Sequence, residues 1–257
     1  MPQFKRYIGI DYSGAETPTS SLKGLRIYEA DEQREPTEVS PPISPRRYWT
    51  RRGLAEWLGE QLAMEDPAIV GIDHAFSFPL QYFEMHGLPL DWPGFLEDFR
   101  RHWPTHQDHI YVDFIRDDFC RRVGDASWFR LTERWTAGAK SVFRFDVQGA
   151  VAKSTHAGLP WLLYLRENCE ERVHFWPFDG WSVPEGKSAV VEVYPSLWIR
   201  RFSNEGQRTG DQQAAYAASA WLRRADRDGS LSAFLQPGLK PDERALAQVE
   251  GWILGII

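Results

Sequence analysis

The chain has 257 residues but only two cysteines, Cys120 and Cys169. They stand alone in their segments, so they give neither a disulfide framework nor a paired metal spacing. No apolar run approaches the ~20 residues that a membrane span needs. There is no internal repeat and no low-complexity tract. Basic charge is not in excess either. Thirty Lys and Arg stand against 36 Asp and Glu, a net charge of −6, so the whole molecule is not a polycation adapted to bulk nucleic acid. A local basic groove stays open, because the field at a site depends on how charge is distributed. The first residues, Met1 to Arg6, run straight into a strand without a signal-peptide pattern, and the expectation is a cytoplasmic protein with no membrane contact.

The hydrophobic content of 42% and charged content of 26% are those of an ordinary globular protein with a substantial core. The 12 Trp are many for this length. Most are expected in the core, where a large apolar ring with one polar handle packs well.

Apolar runs and turn residues divide the chain into α/β elements. Arg6 to Asp11 reads as a strand closed by Ser13-Gly14, and Gly24 to Ala30 as a second. The charged, Pro-rich stretch from Asp31 to Pro45 reads as a loop, and Arg46 to Trp49 as a short third strand. Thr50 is placed to cap a helix running to about Met64, with Leu54, Trp57, Leu58 and Leu62 on one face. A strand over Ala68–Asp73 follows. Its helical crossover suits a parallel return beside the first strand, which brings two strand ends to one edge of the sheet. Residues 76–183 are irregular and rich in aromatics, with helices expected near Pro93–Trp103 and Val112–Arg122. They read as a large, mostly helical insertion that roofs the site within a single domain spanning 1–257. A strand returns at Ala189–Val193, a helix begins near Asp211, and a last helix is expected from Asp242 to about Leu254.

Three of these strands carry one carboxylate at or near their ends: Asp11, Asp73 and Glu192. A carboxylate in a buried β-run is costly to desolvate unless something compensates it. Three of them, far apart in sequence, point to strand ends gathered around a divalent metal, Mg²⁺ or Mn²⁺, with Asp11, Asp73 and Glu192 as ligands. A fourth acid is expected from the C-terminal helices, either Asp211 or Glu250. For Asp211 the competing role is capping its own helix.

The residues Ile8-Gly9-Ile10-Asp11-Tyr12-Ser13-Gly14-Ala15, Val70-Gly71-Ile72-Asp73-His74-Ala75-Phe76-Ser77-Phe78-Pro79 and Val191-Glu192-Val193-Tyr194-Pro195, with the Asp211 helix, resemble the ribonuclease-H-like superfamily in order and spacing. More closely, they resemble an uncharacterised branch of predicted nucleases within it. The resemblance implies a mixed five-stranded sheet flanked by helices and a metal-dependent nuclease-type site, with Asp11 and Asp73 as metal ligands and Glu192 beside them. One position departs from the pattern. Related chains tend to carry a second acid three residues after the first on the last helix, where this chain has Ala214.

A second constellation runs from Arg130 and Arg134 through Lys140, Arg144, Gly149, Lys153, Ser154 and His156 to Gly158, where basic side chains, hydroxyls and glycines alternate in a pattern suited to phosphate. The run Gly149 to Ser154 is not a P-loop, because Ala152 stands where the glycine before Lys153 is required. Ser13 and His74, next to the strand-end acids, join Arg134, Lys140, Lys153, Ser154 and His156 as candidate substrate contacts, with the histidines competing as ordinary structural residues. His102 and His106 have a zinc-like spacing, but Pro104 between them opposes a regular helix.

The leading expectation is a Mg²⁺- or Mn²⁺-dependent hydrolase of phosphodiester bonds, acting on nucleic acid or nucleotides through Asp11, Asp73, Glu192, Asp211 and Glu250. The alternatives are an actin-like nucleotide-binding or phosphotransfer protein, based on Gly9 to Gly14, and a non-catalytic nucleic-acid-binding module, based on Ala214.

Overall fold

All three acid-bearing runs are strands in the computed structural model, which describes residues 2–118, 122–147, 150–169, 171–204 and 206–257. Cys120 and Gly149, both singled out above, lie outside the described residues. The strands are β1 (Arg6–Asp11), β2 (Arg26–Asp31), β3 (Thr37–Glu38), β4 (Ala68–Asp73), β5 (Val173–Phe175) and β6 (Ser188–Glu192). The helices are α1 (Arg51–Leu62), α2 (Leu80–His86), α3 (Trp92–His102), α4 (Val112–Asp118), α5 (Leu131–Trp135), α6 (Ala152–Cys169), α7 (Gly210–Arg227), α8 (Leu231–Leu235) and α9 (Pro241–Glu250). The protein is α/β, with a mixed sheet flanked by helices.

Among the described residues the sheet has six strands, in the order β3-β2-β1-β4-β6-β5, where five were expected. β1, β2 and β3 are antiparallel neighbours, and β4, β6 and β5 extend the sheet in parallel from β1. The sixth strand, β5, comes from within 76–183, so part of that segment belongs to the sheet. The third strand is also not where the residue types placed it. Arg46 to Trp49 forms no strand, while Thr37–Glu38 pairs with Tyr28 and Glu29. Trp49 is buried and its indole donates to the Val39 carbonyl, 2.9 Å away. Its apolar character serves packing, whereas β3 is a two-residue exposed edge with no apolar signal.

Parity along the strands sorts the core into two layers. Ile8, Ile10, Val70, Ile72 and Val190 face α1 and α6, while Tyr7, Ile69, Val191 and Val193 face α7. α1 forms as read, with Thr50 Oγ1 accepting from the Gly53 amide at 2.9 Å and Leu54, Leu58 and Leu62 buried. α7 lies directly on β1 because Gly9 has no side chain: a Cβ there would stand 2.3 Å from the Ala215 carbonyl oxygen. Ser219 Oγ donates to the Tyr7 carbonyl at 2.8 Å and fixes the contact. The small residues of α7 therefore bring its first turn over the edge where β1 and β4 end. Eight tryptophans are buried, in keeping with the core role expected for most of the 12. No helix among the described residues is long and apolar enough to cross a membrane.

Candidate active site

Asp11 and Asp73 end neighbouring parallel strands in direct register. They share parity with Gly9 and Gly71, so both side chains leave the sheet on the α7 side. Burial, followed by the charges of Asp73 and Asp211, holds Asp11 well above the usual carboxylate range. Burial, followed by the charge of Glu192, pushes Asp73 up to about 7. Arg26, the cross-strand partner of Asp11, pulls in the other direction without cancelling the shift.

Asp211 completes the acidic edge. The cap of α7 is Thr209, whose Oγ1 accepts from the Gln212 amide at 3.3 Å while Gln212 Oε1 accepts from the Thr209 amide at 3.0 Å. Asp211 therefore does not cap its helix. Its carboxylate lies in the first turn and lines an open cleft with Asp11, Asp73, Ser13, Lys153 and Ser154. The opposite wall comes from 76–183: Asp113 on α4 and the start of α6. Gly14 lets the β1 loop press against α6, since a Cβ there would lie 2.1 Å from Lys153 backbone atoms. Buried Arg51 holds the loop from behind, donating to the carbonyls of Ser13 at 3.2 Å, Ala15 at 2.6 Å and Glu16 at 2.8 Å. Lys153 Nζ reaches Asp113 Oδ2 at 2.7 Å across a half-exposed pair.

Glu192 is arranged differently. It pairs with Ile72 and so begins on the opposite face of the sheet from Asp73; the two meet around the sheet end, where both line a second pocket. Both its oxygens are taken by the buried Arg130 guanidinium, at 2.6 and 2.7 Å, and one also accepts from the Phe76 amide at 3.2 Å. Arg130 Nε donates to Glu133 at 2.9 Å. Arg130, which opens the basic segment read as suited to phosphate, is instead bonded to the acid expected as the third metal ligand.

Glu250 is not brought to the cleft either. It is fully buried, and its two oxygens accept from the amides of Leu80 and Leu131, each at 2.6 Å. Those residues open α2 and α5, so the carboxylate satisfies otherwise orphaned donors at two helix starts.

The histidines are structural in their surroundings. His156 is buried among Phe78, Phe99, Trp103 and Phe145, with Nδ1 2.8 Å from the Ala152 carbonyl, and burial pulls its pKa down to about 3. His74 is packed under Gly158 and against Tyr12, and burial pulls it down to about 4. Both stay neutral at physiological pH, and neither lines the acidic cleft. Arg134 donates to the Phe129 carbonyl at 2.9 Å, and Lys140 lines the Glu192 pocket. Of the basic segment, Lys153 and Ser154 line the cleft, and Ser154 Oγ donates to the Val151 carbonyl at 2.9 Å. His102, at the end of α3, lies 3.6 Å from Asp98, and no zinc cluster forms among the described residues.

Among the described residues no three His, Cys, Asp or Glu side chains stand close enough together to grip one ion. The Asp11–Asp73 pair still fits a hard divalent cation, because two carboxyl groups end adjacent strands in register and line one open cleft. Mg²⁺ is commonly held by one or two carboxylates, with water and substrate phosphate completing its shell. No protein-family model matches the chain, and neither a curated protein nor a solved structure gives a significant match.

Proposed function

We propose that the chain is a ribonuclease-H-like, metal-dependent phosphodiesterase acting on nucleic acid or nucleotides, with 1–257 forming one domain and 76–183 roofing its site. The observation that carries the reading is the Asp11–Asp73 pair, in register on adjacent parallel strands and lining an open cleft. Support also comes from the sheet, in which antiparallel β3-β2-β1 continues into parallel β4 and β6.

In this reading Asp11 and Asp73 would hold Mg²⁺ or Mn²⁺ through their ionised carboxylates. The bound cation would polarise phosphate oxygens and lower the pKa of water. Asp211 adds negative charge beside Asp11 and favours cation binding. The first turn of α6 offers backbone N–H groups, and Lys153 can exchange Asp113 for a phosphate, since their pair is half exposed. Arg51 keeps the Ser13 loop against that turn. Glu192 contributes through Arg130, which fixes the end of β6 beside Asp73.

The test is incubation of purified protein with labelled single-stranded, duplex and branched DNA or RNA in Mn²⁺, beside Asp11→Asn. Cleavage by the wild type, lost by at least 100-fold in the variant, is expected. No cleavage, with Mn²⁺ binding absent by calorimetry, would favour the non-catalytic module instead.

A further inference from the structure

A second groove adjoins the acidic cleft. Arg26 pairs across the strands with Asp11, one strand spacing of ~5 Å away, and lines this groove. The groove continues over Lys23, Arg47, Tyr48 and Trp49, while Thr209 and Gln212 on its far side flank Asp211 in the chain. Its charge is opposite to that of the cleft. Arg26 is balanced by Glu38 at 2.9 Å, and Glu38 is held by Gln212 at 2.8 Å. Lys23 and Arg47 are exposed and make no ion pair among the described residues. Arg26 and Arg47 both lie over the Tyr48 ring, 4.7 and 5.3 Å from its centroid.

We infer that this groove binds the sugar–phosphate backbone of a single nucleic-acid strand leaving the acidic cleft, with Lys23 and Arg47 each contacting a phosphate. The inference deepens the phosphodiesterase reading and rests on it: the cleft takes the scissile phosphate, and the groove makes the substrate a strand longer than a nucleotide. The chemistry is that of single-strand tracks, a basic path beside an aromatic side chain. Arg47 can leave the Tyr48 ring for a phosphate, since it makes no hydrogen bond or ion pair among the described residues. Net negative charge does not oppose this, because the field at a site depends on how charge is distributed.

The experiment measures binding of a fluorescein-labelled single strand of about 12 nucleotides by anisotropy in EDTA, where no cleavage can occur. It compares the wild type with Lys23→Ala/Arg47→Ala across a salt series. The expected result is at least tenfold weaker binding by the variant and a log–log salt slope shallower by about 1.4, the value for two single-strand phosphate contacts. Both residues are exposed, so an unchanged melting temperature is expected to show that the fold is intact. Equal affinity and equal slope, or no strand binding by the wild type, overturns the inference. Hydrolysis of a small phosphodiester such as bis-p-nitrophenyl phosphate in Mn²⁺ separates the two readings. Hydrolysis without strand binding removes the groove and keeps the active site. Strand binding that depends on Lys23 and Arg47, without hydrolysis, keeps the groove and removes the catalysis.

Discussion

The end of the sheet carries two groups of acids that received opposite treatment. Glu192 and Glu133 share the buried Arg130, and Glu250 is satisfied by two helix-start amides. Asp11, Asp73 and Asp211 face a cleft, where burial and neighbouring acids hold the first two above the usual carboxylate range. In sequence Asp73 and Glu192 look alike, each a carboxylate finishing a run of apolar residues. What separates them is a cation supplied by the fold. A carboxylate bonded to a buried guanidinium serves structure, and one that lines an open cleft is available to an external cation.

The largest effect is expected at Arg130. Arg130→Met strands Glu192 and Glu133 in a buried site, and a loss of about 3–5 kcal/mol in urea unfolding is predicted. Adding Glu192→Gln should recover part of it. A loss under 1 kcal/mol would mean that the Arg130 cluster is not the neutralised half of the contrast.

Glu250→Gln comes next. It keeps the shape but replaces one accepting oxygen with a donor facing an amide, at a predicted cost of about 1–3 kcal/mol. Activity at a temperature well below the melting point should be unchanged, which distinguishes a structural carboxylate from a ligand.

Asp73→Asn should act in the opposite direction. The folded pKa of Asp73 lies above its unfolded value, so the folded state binds more protons between about pH 4 and 7, and stability falls as pH rises through that window. At pH 8 in EDTA the variant should be more stable than the wild type by on the order of 1–3 kcal/mol, with the difference vanishing near pH 4. His74 and His156 impose the reverse slope, since their folded pKa values are depressed and stability is lost as pH falls below about 6.5. That slope is common to both proteins and cancels in the comparison.

The smallest effect is expected at Ala214. Ala214→Asp adds an acid one turn beyond Asp211 on the same helix, and should tighten Mn²⁺ binding by a few fold through added charge. No change would place that turn outside the cation's field.

The two firmest parts of the site were legible because both are local. β1 and β4 announce themselves as apolar runs, and the helical crossover between them implies the parallel return that aligns Asp11 with Asp73. α1 carries its own cap. The fate of Glu192 was not legible, because Arg130 lies 62 residues away and is brought to it by the packing of the inserted segment. Parity held a partial clue: Glu192 alternates with Val191 and Val193, which face α7, so it starts on the other face. Glu250 shows no such sign, since its partners are backbone amides that no side chain encodes. β3 was missed because two exposed residues paired at an edge carry no hydrophobic pattern. Asp211 was weighed as its helix's cap, but Thr209 two residues earlier, with Gln212 completing a capping box, takes that role.

The most direct test is calorimetric titration of Mn²⁺ at pH 6.5 in two buffers of different ionisation enthalpy, for the wild type, Asp11→Asn, Asp73→Asn and Glu192→Gln, each checked for folding by circular dichroism. Wild type and Glu192→Gln should bind Mn²⁺ with release of protons from the two aspartates, whose pKa values are raised, while both Asn variants lose binding. Binding that survives in the Asn variants, or disappears in a folded Glu192→Gln, would contradict the assignment of Asp11 and Asp73 as the available pair and Glu192 as the neutralised acid.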